Sequence, residues 1–180
     1  MLTGKEIAAE GIVYNYDPEK GIQQQGIDVR IDKVARVGQF GSIVGLGTVY
    51  KDRTVLPQYP YEIRTVPTTS VEDDITKHEM YHLEPGYYEI ELMEGVDVPN
   101  NRVLHFKTRS SLVRCGAFVR SGQFDAGFNT EKAGCFLHVV VPISIERGAR
   151  IAQAIVFESH EVADDDKYDG QYQNDKQREK

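Results

Sequence analysis

The sequence predicts a mainly β protein, a sandwich or barrel of short strands with one short helix at its N-terminus. Two observations support this fold class. Apolar residues alternate with polar ones at period two, most clearly where Ile27, Val29 and Ile31 are separated by charged residues, and this is the pattern of a half-buried strand. Many further short apolar segments are separated by Gly and Pro turn signals, as in all-β sandwiches and barrels.

A capping box predicts the N-terminal helix. Thr3 is followed three residues later by Glu6, the apolar residues of 7–9 come next, and Gly11 ends the helix. Residues 40–70 carry scattered Gly and Pro between β-branched residues, which is typical of short strands joined by long connections.

Turn signals delimit the later strands. Pro85-Gly86 precedes a predicted strand from Tyr87 to Met93, and Pro99-Asn100-Asn101 precedes another from Val103 to Phe106. The remaining predicted strands are residues 135–141, 143–145 and 150–157.

Length and composition indicate one globular domain. A chain of 180 residues, 40% hydrophobic and 27% charged, can bury a substantial core but is short for two ordinary domains. We expect the domain to span residues 1–158. Apolar residues become scarce after that point, so residues 159–180 are expected to form a polar, mobile C-terminal lid or tail.

Charge and targeting signals exclude several classes of protein. The net charge of -7, from 28 acidic and 21 basic side chains, disfavours non-specific binding to nucleic acid. No apolar segment is long enough to cross a membrane, and the first residues do not resemble a signal peptide. We therefore expect a cytoplasmic protein with no membrane partner. In that reducing compartment, Cys115 and Cys135 are expected to be buried free thiols.

The segment Thr108 to Arg114 is the first candidate for ligand binding. Arg109 and Arg114 flank Ser110 and Ser111. Arginine offers a fork of hydrogen-bond donors and serine adds short hydrogen bonds, which together suit phosphate oxygens. A charged strand end is the alternative interpretation, but two arginines around two serines favour a phosphate site.

The second candidate is Asp125-Ala126-Gly127-Phe128. A carboxylate can orient or deprotonate a water, and an aromatic ring can cover a sugar or base. Taken alone, an Asp before Ala-Gly is more typical of a turn. By the same reasoning, Gln153 on a predicted strand would face solvent, and Lys167 to Gln171 would belong to a solvated tail. Together, the two candidate segments suggest a site for a small phosphorylated ligand with a water nearby.

His78-Glu79-Met80-Tyr81-His82 matches the HExxH pattern of zinc proteases. That chemistry needs both histidines on one face of a helix, with the glutamate acting as base beside the metal. Here Pro85-Gly86 follows within a turn, and the region is rich in predicted strands. We interpret the match as coincidental and expect no protein-held metal at these histidines.

These segments occur in an order that resembles the trimeric dUTPase and dCTP deaminase superfamily, over most of the chain. The similar motifs are Gln25 to Arg30, Leu83 to Tyr87, Val98-Pro99, Thr108 to Arg114, Phe124 to Phe128 and Gly148 to Gln153. The glycine-rich terminal motif of ordinary dUTPases is absent, so the chain is nearer the dCTP deaminase-like branch. The resemblance implies a distorted jelly-roll β-barrel, a homotrimer, and active sites built between subunits.

The resemblance also implies a role for each matched residue at the phosphate end. Arg109, Ser111 and Gln153 would hold phosphates, and Ser110 and Arg114 would lie near the reacting centre.

At the nucleoside end, the resemblance implies that Asp125 holds the sugar 3′-hydroxyl and, in a diphosphatase, activates the attacking water. Phe128 would stack beneath the deoxyribose. Lys167 and Gln171 match the C-terminal lid of the deaminase branch, with the lysine on phosphate and the glutamine toward the base.

One position departs from the deaminase pattern. The strand glutamate that shuttles a proton in these deaminases falls on Val139, or on His138 if the alignment shifts by one residue. Valine cannot carry a proton, so the substitutes are His138 or, if the preceding turn is remodelled, Glu131.

The resemblance therefore implies processing of a pyrimidine deoxynucleoside triphosphate. The favoured reaction is hydrolysis of dUTP to dUMP and pyrophosphate, with Mg²⁺ held through the triphosphate rather than by the protein alone. Two alternatives stay open. One is a dCTP deaminase, possibly bifunctional and forming dUTP or dUMP. The other is a catalytically inactive trimeric protein with a nucleotide-binding or structural role on the same fold.

Overall fold

The computed structural model of the chain describes residues 1–37, 63–72 and 77–168, and the mainly β fold is confirmed. The described helices are α1 (Gly4–Ala9) and α2 (Ser110–Arg114). The strands are β1 (Val13–Tyr14), β2 (Ile22–Gln23), β3 (Gly26–Val37), β4 (Ile63–Thr65), β5 (Thr69–Glu72), β6 (Lys77–Leu83), β7 (Gly86–Leu92), β8 (Gly95–Asp97), β9 (Arg102–Thr108), β10 (Ala117–Arg120), β11 (Asn129–Thr130), β12 (Gly134–Val139), β13 (Ile143–Glu146) and β14 (Arg150–Glu158). Within these residues, no helix has the length and apolar character that a membrane span requires.

The large antiparallel sheet nearly closes into a barrel. Its strand order is β10-β12-β7-β3-β14-β9, with β2 and β4 also paired to β3, and two small sheets (β1-β8-β11 and β13-β6-β5) flank it. At the two ends of this order, the hydroxyl of Thr108 accepts the N–H of Val119 and donates to the carbonyl oxygen of Val119, both at 3.0 Å. These two bonds join β9 to β10 and support the barrel shape that the resemblance implies.

The central strand β3 confirms the predicted alternation. Ile27, Val29 and Ile31 are fully buried in the core. Asp28 and Asp32, on the opposite side of the strand, are also buried, although alternation alone would expose them. Each of these carboxylates is paired with two cationic side chains, and pairing of this kind makes a buried charge tolerable.

The N-terminal helix begins after Thr3, as predicted. The hydroxyl of Thr3 accepts the N–H of Glu6 at 3.3 Å, and the Glu6 carboxylate accepts the N–H of Thr3 at 2.7 Å. The capping box is therefore complete. Ile7 is buried in the core, and Gly11 follows the helix with a φ of 69°, which is the left-handed conformation common after a helix C-terminus.

The HExxH match lies on β6, which is a strand. Residues four apart on a strand are separated by roughly 13 Å, so His78 and His82 cannot share one zinc ion. Instead, Nδ1 of His78 is 2.7 Å from Oε1 of Glu146, and Nδ1 of His82 is 2.8 Å from Oγ of Ser144. Because the segment is a strand, the two histidines do not have the spacing on one helix face that a zinc protease requires.

The segment after Thr108 leaves the sheet and forms the short helix α2, so the alternative interpretation of Arg109 to Arg114 as a charged strand end does not hold. One local feature differs from the sequence-based expectations. Cys115, expected to be buried, is exposed at the C-cap of this helix, where its N–H bonds to the carbonyl oxygen of Leu112 at 3.0 Å. Cys135 is buried in β12, and both cysteines are free thiols.

Candidate active site

Three neighbouring strands bring four polar side chains to one place. Asp28 on β3 lies opposite Gln153 on β14, and Arg150 begins β14. Arg109 follows β9, which pairs with the other side of β14. The order β3-β14-β9 thus assembles a group that we call the arginine cluster: Asp28, Arg109, Arg150 and Gln153.

The buried carboxylate of Asp28 lies at the centre of the arginine cluster. Its Oδ2 is 3.1 Å from Nη1 of Arg150 and 3.3 Å from Nε of Arg109, and its Oδ1 is 3.5 Å from Nε2 of Gln153. Burial raises the pKa of Asp28, although the two arginines oppose this shift. The arginine side chains remain 29% and 32% exposed. Two guanidinium groups carry more positive charge than one carboxylate neutralises, so the cluster can receive an anion.

Main-chain contacts fix both arginines before any ligand arrives. The N–H of Arg109 donates to the carbonyl oxygen of Ile151 at 3.1 Å, and its Nη1 donates to the carbonyl oxygen of Arg150 at 3.2 Å. Nη1 of Arg150 donates to the carbonyl oxygen of Lys20 at 2.9 Å. Because the positions of both guanidinium groups are set by backbone atoms, the cluster is preorganised.

Gly26 allows β3 to approach β14 closely beside the cluster. A Cβ atom at this position would lie 2.4 Å from the carbonyl oxygen of Ala154 and 2.7 Å from Cγ of Gln153. Both distances are shorter than van der Waals contact, so a larger residue would displace the side chain of Gln153 or separate the strands. Glycine is therefore required here by packing.

Helix α2 carries three predicted site residues beside Arg109: Ser111, expected to hold phosphate, and Ser110 and Arg114, expected near the reacting centre. Leu112 is buried and anchors the helix, whereas Ser110, Ser111 and Arg114 are exposed. Within the described parts of the chain, these three side chains make no hydrogen bond or ion pair. They are therefore available to a ligand that contacts helix α2 next to Arg109.

Asp125 to Phe128 form a tight turn, which we call the Asp125 turn. The N–H of Phe128 bonds to the carbonyl oxygen of Asp125 at 3.1 Å, and the N–H of Gly127 bonds to that of Val98 at 2.8 Å. Gly127 has a φ of 85°, a conformation that favours glycine. The Asp125 carboxylate is exposed and accepts a hydrogen bond from Nε2 of Gln123 at 2.5 Å. Asp125 is thus both a turn residue and an available, oriented carboxylate.

The ring of Phe128 is more covered than a residue that stacks on a sugar would be. Only 8% of its surface is exposed. Its ring centroid lies 5.1 Å from that of Phe124 and 5.3 Å from that of Tyr168. Tyr168 belongs to the segment predicted as a C-terminal lid, and the described part of that segment, residues 159–168, lies against its own chain.

Lys167 also lies over the Asp125 turn of its own chain. A Cβ atom on Gly127 would come within 2.9 Å of Cβ of Lys167, and Nζ of Lys167 is 2.6 Å from Oδ1 of Asp164. The lysine therefore lies beside the predicted sugar end and not beside the arginine cluster. Gln171, the other predicted lid residue, lies outside the described residues.

One chain does not bring the Asp125 turn to the arginine cluster. Phe124 pairs with Leu104 near the beginning of β9, whereas Arg109 follows its last residue. A strand rises about 3.3 Å per residue, so residues 104 and 109 are separated by roughly 16 Å. The predicted phosphate end and nucleoside end thus lie at opposite ends of one strand.

The two candidates for the proton shuttle lie apart from the barrel interior. Val139, the first of the two positions that the resemblance offers for the deaminase glutamate, is buried in the core. His138 is on the opposite face of β12, where its ring stacks on Tyr87 with centroids 4.4 Å apart. Glu131 is exposed in the turn after β11, and this turn is tied down by Lys132, whose Nζ is 2.7 Å from Oδ2 of Asp32.

Sequence reasoning did not assign Asp28 and Arg150 to the site. Both lie within segments that carry the resemblance, but the period-two alternation predicts that the side chain of Asp28 faces solvent. The signal that could have identified them is the pairing of β3 with β14, which places Asp28 opposite Gln153.

The donors present fit a metal ion that arrives with a ligand. Among the described residues, no group of three or more His, Cys, Asp or Glu side chains is placed to hold a metal ion. Asp28 is the carboxylate inside the arginine cluster, and its oxygens already face two arginines and Gln153. Mg²⁺ is commonly bound by one or two carboxylates together with substrate phosphates, so a metal ion at this cluster would need most of its ligands from a bound phosphorylated molecule.

Comparison with known proteins identifies the family. Residues 2–160 match the dCTP deaminase-like family. The chain is 31% identical over 156 residues to a probable deoxyuridine 5′-triphosphate nucleotidohydrolase of Halobacterium salinarum, covering 86% of this chain and 84% of the relative. It is also 31% identical over 159 residues to a probable deoxyuridine 5′-triphosphate nucleotidohydrolase of Methanothermobacter thermautotrophicus, covering 87% and 91%.

A solved structure agrees with the fold. The 2′-deoxycytidine 5′-triphosphate deaminase of Agrobacterium tumefaciens superposes on 86% of this chain with a TM-score of 0.58 at 20% identity, and the match spans 45% of the deaminase chain. At this identity the likeness concerns the fold alone. From the family match over residues 2–160, this protein belongs to the dCTP deaminase-like family.

Proposed function

We propose that this protein hydrolyses dUTP to dUMP and pyrophosphate in the presence of Mg²⁺. The observation that carries the proposal is the arginine cluster, in which one buried carboxylate holds two partly exposed guanidinium groups. Relatives named as dUTP nucleotidohydrolases, at 29–31% identity, support the choice of substrate. The net charge of -7 weighs against non-specific binding to nucleic acid, and an anionic nucleotide must therefore be held by the local arginine cluster.

The phosphate end of the mechanism is electrostatic. Arg109, Ser111 and Gln153 bind the triphosphate, and Ser110 and Arg114 act near the reacting phosphate. Guanidinium groups match phosphate oxygens bidentately and stabilise the charge that develops there. When bound to the triphosphate, Mg²⁺ supplies further neutralising charge.

At the nucleoside end, Asp125 orients the attacking water and accepts its proton. The water oxygen attacks the α-phosphorus in line. The bond from this phosphorus to the oxygen that bridges the α- and β-phosphates breaks, and pyrophosphate leaves with its electron pair. The exposed Asp125 carboxylate, held by Gln123 at 2.5 Å, is suited to act as general base. Phe128 packs beneath the deoxyribose in the bound state.

The site is shared between subunits of a homotrimer. The separation of roughly 16 Å along β9 between the Asp125 turn and the arginine cluster supports this assembly. A neighbouring copy would supply its own Asp125 turn to the arginine cluster of the first.

Light scattering should therefore report about three times the chain mass of 20.3 kDa at micromolar concentration. Dilution that produces monomers should abolish dUTP hydrolysis, because each monomer holds the two halves of the site apart. A monomer that hydrolyses dUTP as fast as the undiluted protein would contradict the shared site.

Deamination of dCTP is the second candidate, favoured by the match to the dCTP deaminase-like family. The buried Val139 weighs against it, because valine cannot carry a proton. His138 would have to leave its stacked position on Tyr87 to replace the missing glutamate.

Incubation with dUTP, dCTP and dTTP, with and without Mg²⁺, tests both candidates. We expect Mg²⁺-dependent conversion of dUTP to dUMP and pyrophosphate, resolved by chromatography, and no ammonia from dCTP. Release of ammonia from dCTP that His138→Ala abolishes would establish the deaminase instead. Binding of a nucleotide without turnover would identify an inactive nucleotide-binding protein.

A further inference from the structure

The last described segment, Ser159 to Tyr168, runs across the surface that contains the Asp125 turn. The N–H of Ser159 bonds to the carbonyl oxygen of Asn101 at 2.9 Å, and the N–H of Val162 bonds to that of Asn100 at 3.0 Å. At the other end, the N–H of Tyr168 bonds to the carbonyl oxygen of Ala126 at 3.0 Å. We call residues 159–168 the covering segment, because hydrogen bonds at both ends hold it on its own chain.

Tyr168 covers the ring that the proposed function uses to support the sugar. The centroids of Tyr168 and Phe128 are 5.3 Å apart, with an angle of 59° between the ring planes, and this is a favourable geometry for an aromatic pair. Tyr168 packs against the hydrophobic core, and Phe128 retains 8% exposure. In this arrangement a deoxyribose cannot stack on Phe128.

Phe124 and Tyr168 both contact Phe128, but they are held with different strength. Phe124 is 8% exposed and is bonded to Leu104 in both directions at 3.0 Å within the barrel. Tyr168 is half-buried and ends a segment whose residues are mostly exposed. Exposed segments with few buried apolar groups open at low free energy. A ligand that reaches Phe128 therefore displaces Tyr168 and leaves Phe124 in place.

Lys167 extends the cover to Gly127. Its Cβ lies 2.9 Å from the position that a Cβ on Gly127 would occupy, so the two main chains are in close contact. Its Nζ bonds to Asp164 within the covering segment at 2.6 Å. The lysine thus stays with its own segment while Tyr168 covers Phe128.

We propose that the covering segment is an internal competitor of the nucleotide. In the free chain Tyr168 occupies the face of Phe128 that a deoxyribose would use, and a pyrimidine deoxynucleotide binds once this ring has moved away. The inference rests on the proposed function, in which Phe128 supports the sugar. Because only the uncovered fraction of the protein can bind, the measured dissociation constant exceeds the intrinsic one by the inverse of that fraction. This factor raises the dissociation constant of every ligand that contains a deoxyribose, and it leaves the dissociation constant of a ligand without a deoxyribose unchanged.

Calorimetric titration of Tyr168→Ala tests this competition with dUMP, a non-hydrolysable dUTP analogue and inorganic tripolyphosphate. We expect both nucleotides to bind more tightly than to the wild type, by one common factor of about three to ten, the scale of a single aromatic pair. Tripolyphosphate should bind equally well to both proteins. Tyr168→Phe keeps the ring and should bind the nucleotides less tightly than Tyr168→Ala does. Unchanged or weaker nucleotide binding by Tyr168→Ala would overturn the proposal.

Hydrogen exchange supplies an independent measurement on the wild type. The amide of Tyr168 should be protected in the free protein, since it bonds to Ala126, and should lose protection when dUMP saturates the site. An unprotected Tyr168 amide in the free protein would contradict the proposal that the covering segment competes with the nucleotide. A wild type that binds no nucleotide overturns both this inference and the proposed function. If the wild type binds dUTP and Tyr168→Ala binds it no more tightly, the proposal that the covering segment competes with the nucleotide is wrong, while the proposed function stands.

Discussion

Replacement of Asp125 by asparagine is expected to lower the kcat for dUTP by roughly a hundredfold or more, the scale of losing a general base. Asparagine keeps the shape of the side chain and can still accept the hydrogen bond from Gln123. It cannot accept a proton from water. Since Asp125 is exposed, the change leaves no buried polar group unsatisfied, and nucleotide binding should stay within roughly a few-fold.

The measurement separates chemistry from binding. Product chromatography gives kcat, and titration with a non-hydrolysable dUTP analogue gives the dissociation constant. Asp97→Asn is the matched control, because Asp97 is an exposed aspartate whose backbone pairs with Asn129 in the neighbouring small sheet. It removes the same charge and should keep the wild-type rate. If Asp125→Asn kept the wild-type kcat, a residue other than Asp125 would be the general base, and Glu131→Gln would be the next variant to measure.

Arg109→Ala should weaken nucleotide binding and turnover together, lowering kcat/KM by about a hundredfold. The reason is that, in the proposed mechanism, Arg109 contacts phosphate charge in both the ground state and the transition state. Arg120→Ala is the control, since Arg120 is an exposed arginine at the end of β10 and its loss changes the net charge equally. If the two variants lost activity to the same extent, a general charge effect would explain the loss better than a phosphate contact.

The same variant should change how stability depends on pH. Burial raises the pKa of Asp28 and Arg109 opposes that shift, so loss of Arg109 raises this pKa further. A carboxyl group whose pKa is higher in the folded state stabilises the fold at low pH and loses this contribution as the pH rises through the folded-state pKa. Relative to the wild type, the unfolding free energy of Arg109→Ala should therefore fall as the pH increases from about 4. Urea denaturation at fixed protein concentration measures this, and parallel profiles would argue against coupling of Arg109 to Asp28.

Features set by near neighbours in the sequence were predictable. The capping box at Thr3 and Glu6 and the alternation at Ile27 to Ile31 both appear in the structure as expected. Each depends on residues within a few positions of one another. The expectation that His78 and His82 do not share one face of a helix was also local, because the turn signal at Pro85-Gly86 lies just after the end of β6.

By itself, the sequence determined the β class, the N-terminal helix and the family. The phosphate site at Arg109 to Arg114 stays a prediction. The tertiary structure alone decided that Asp28 and Arg150 join Arg109 in one cluster and that Tyr168 covers Phe128. It also decided that the Asp125 turn lies at the far end of β9. The physical reason is that these contacts arise from pairing of β3, β14 and β9 and from packing of the covering segment. Such pairings join residues far apart in the chain, and local alternation cannot specify which side chains will meet.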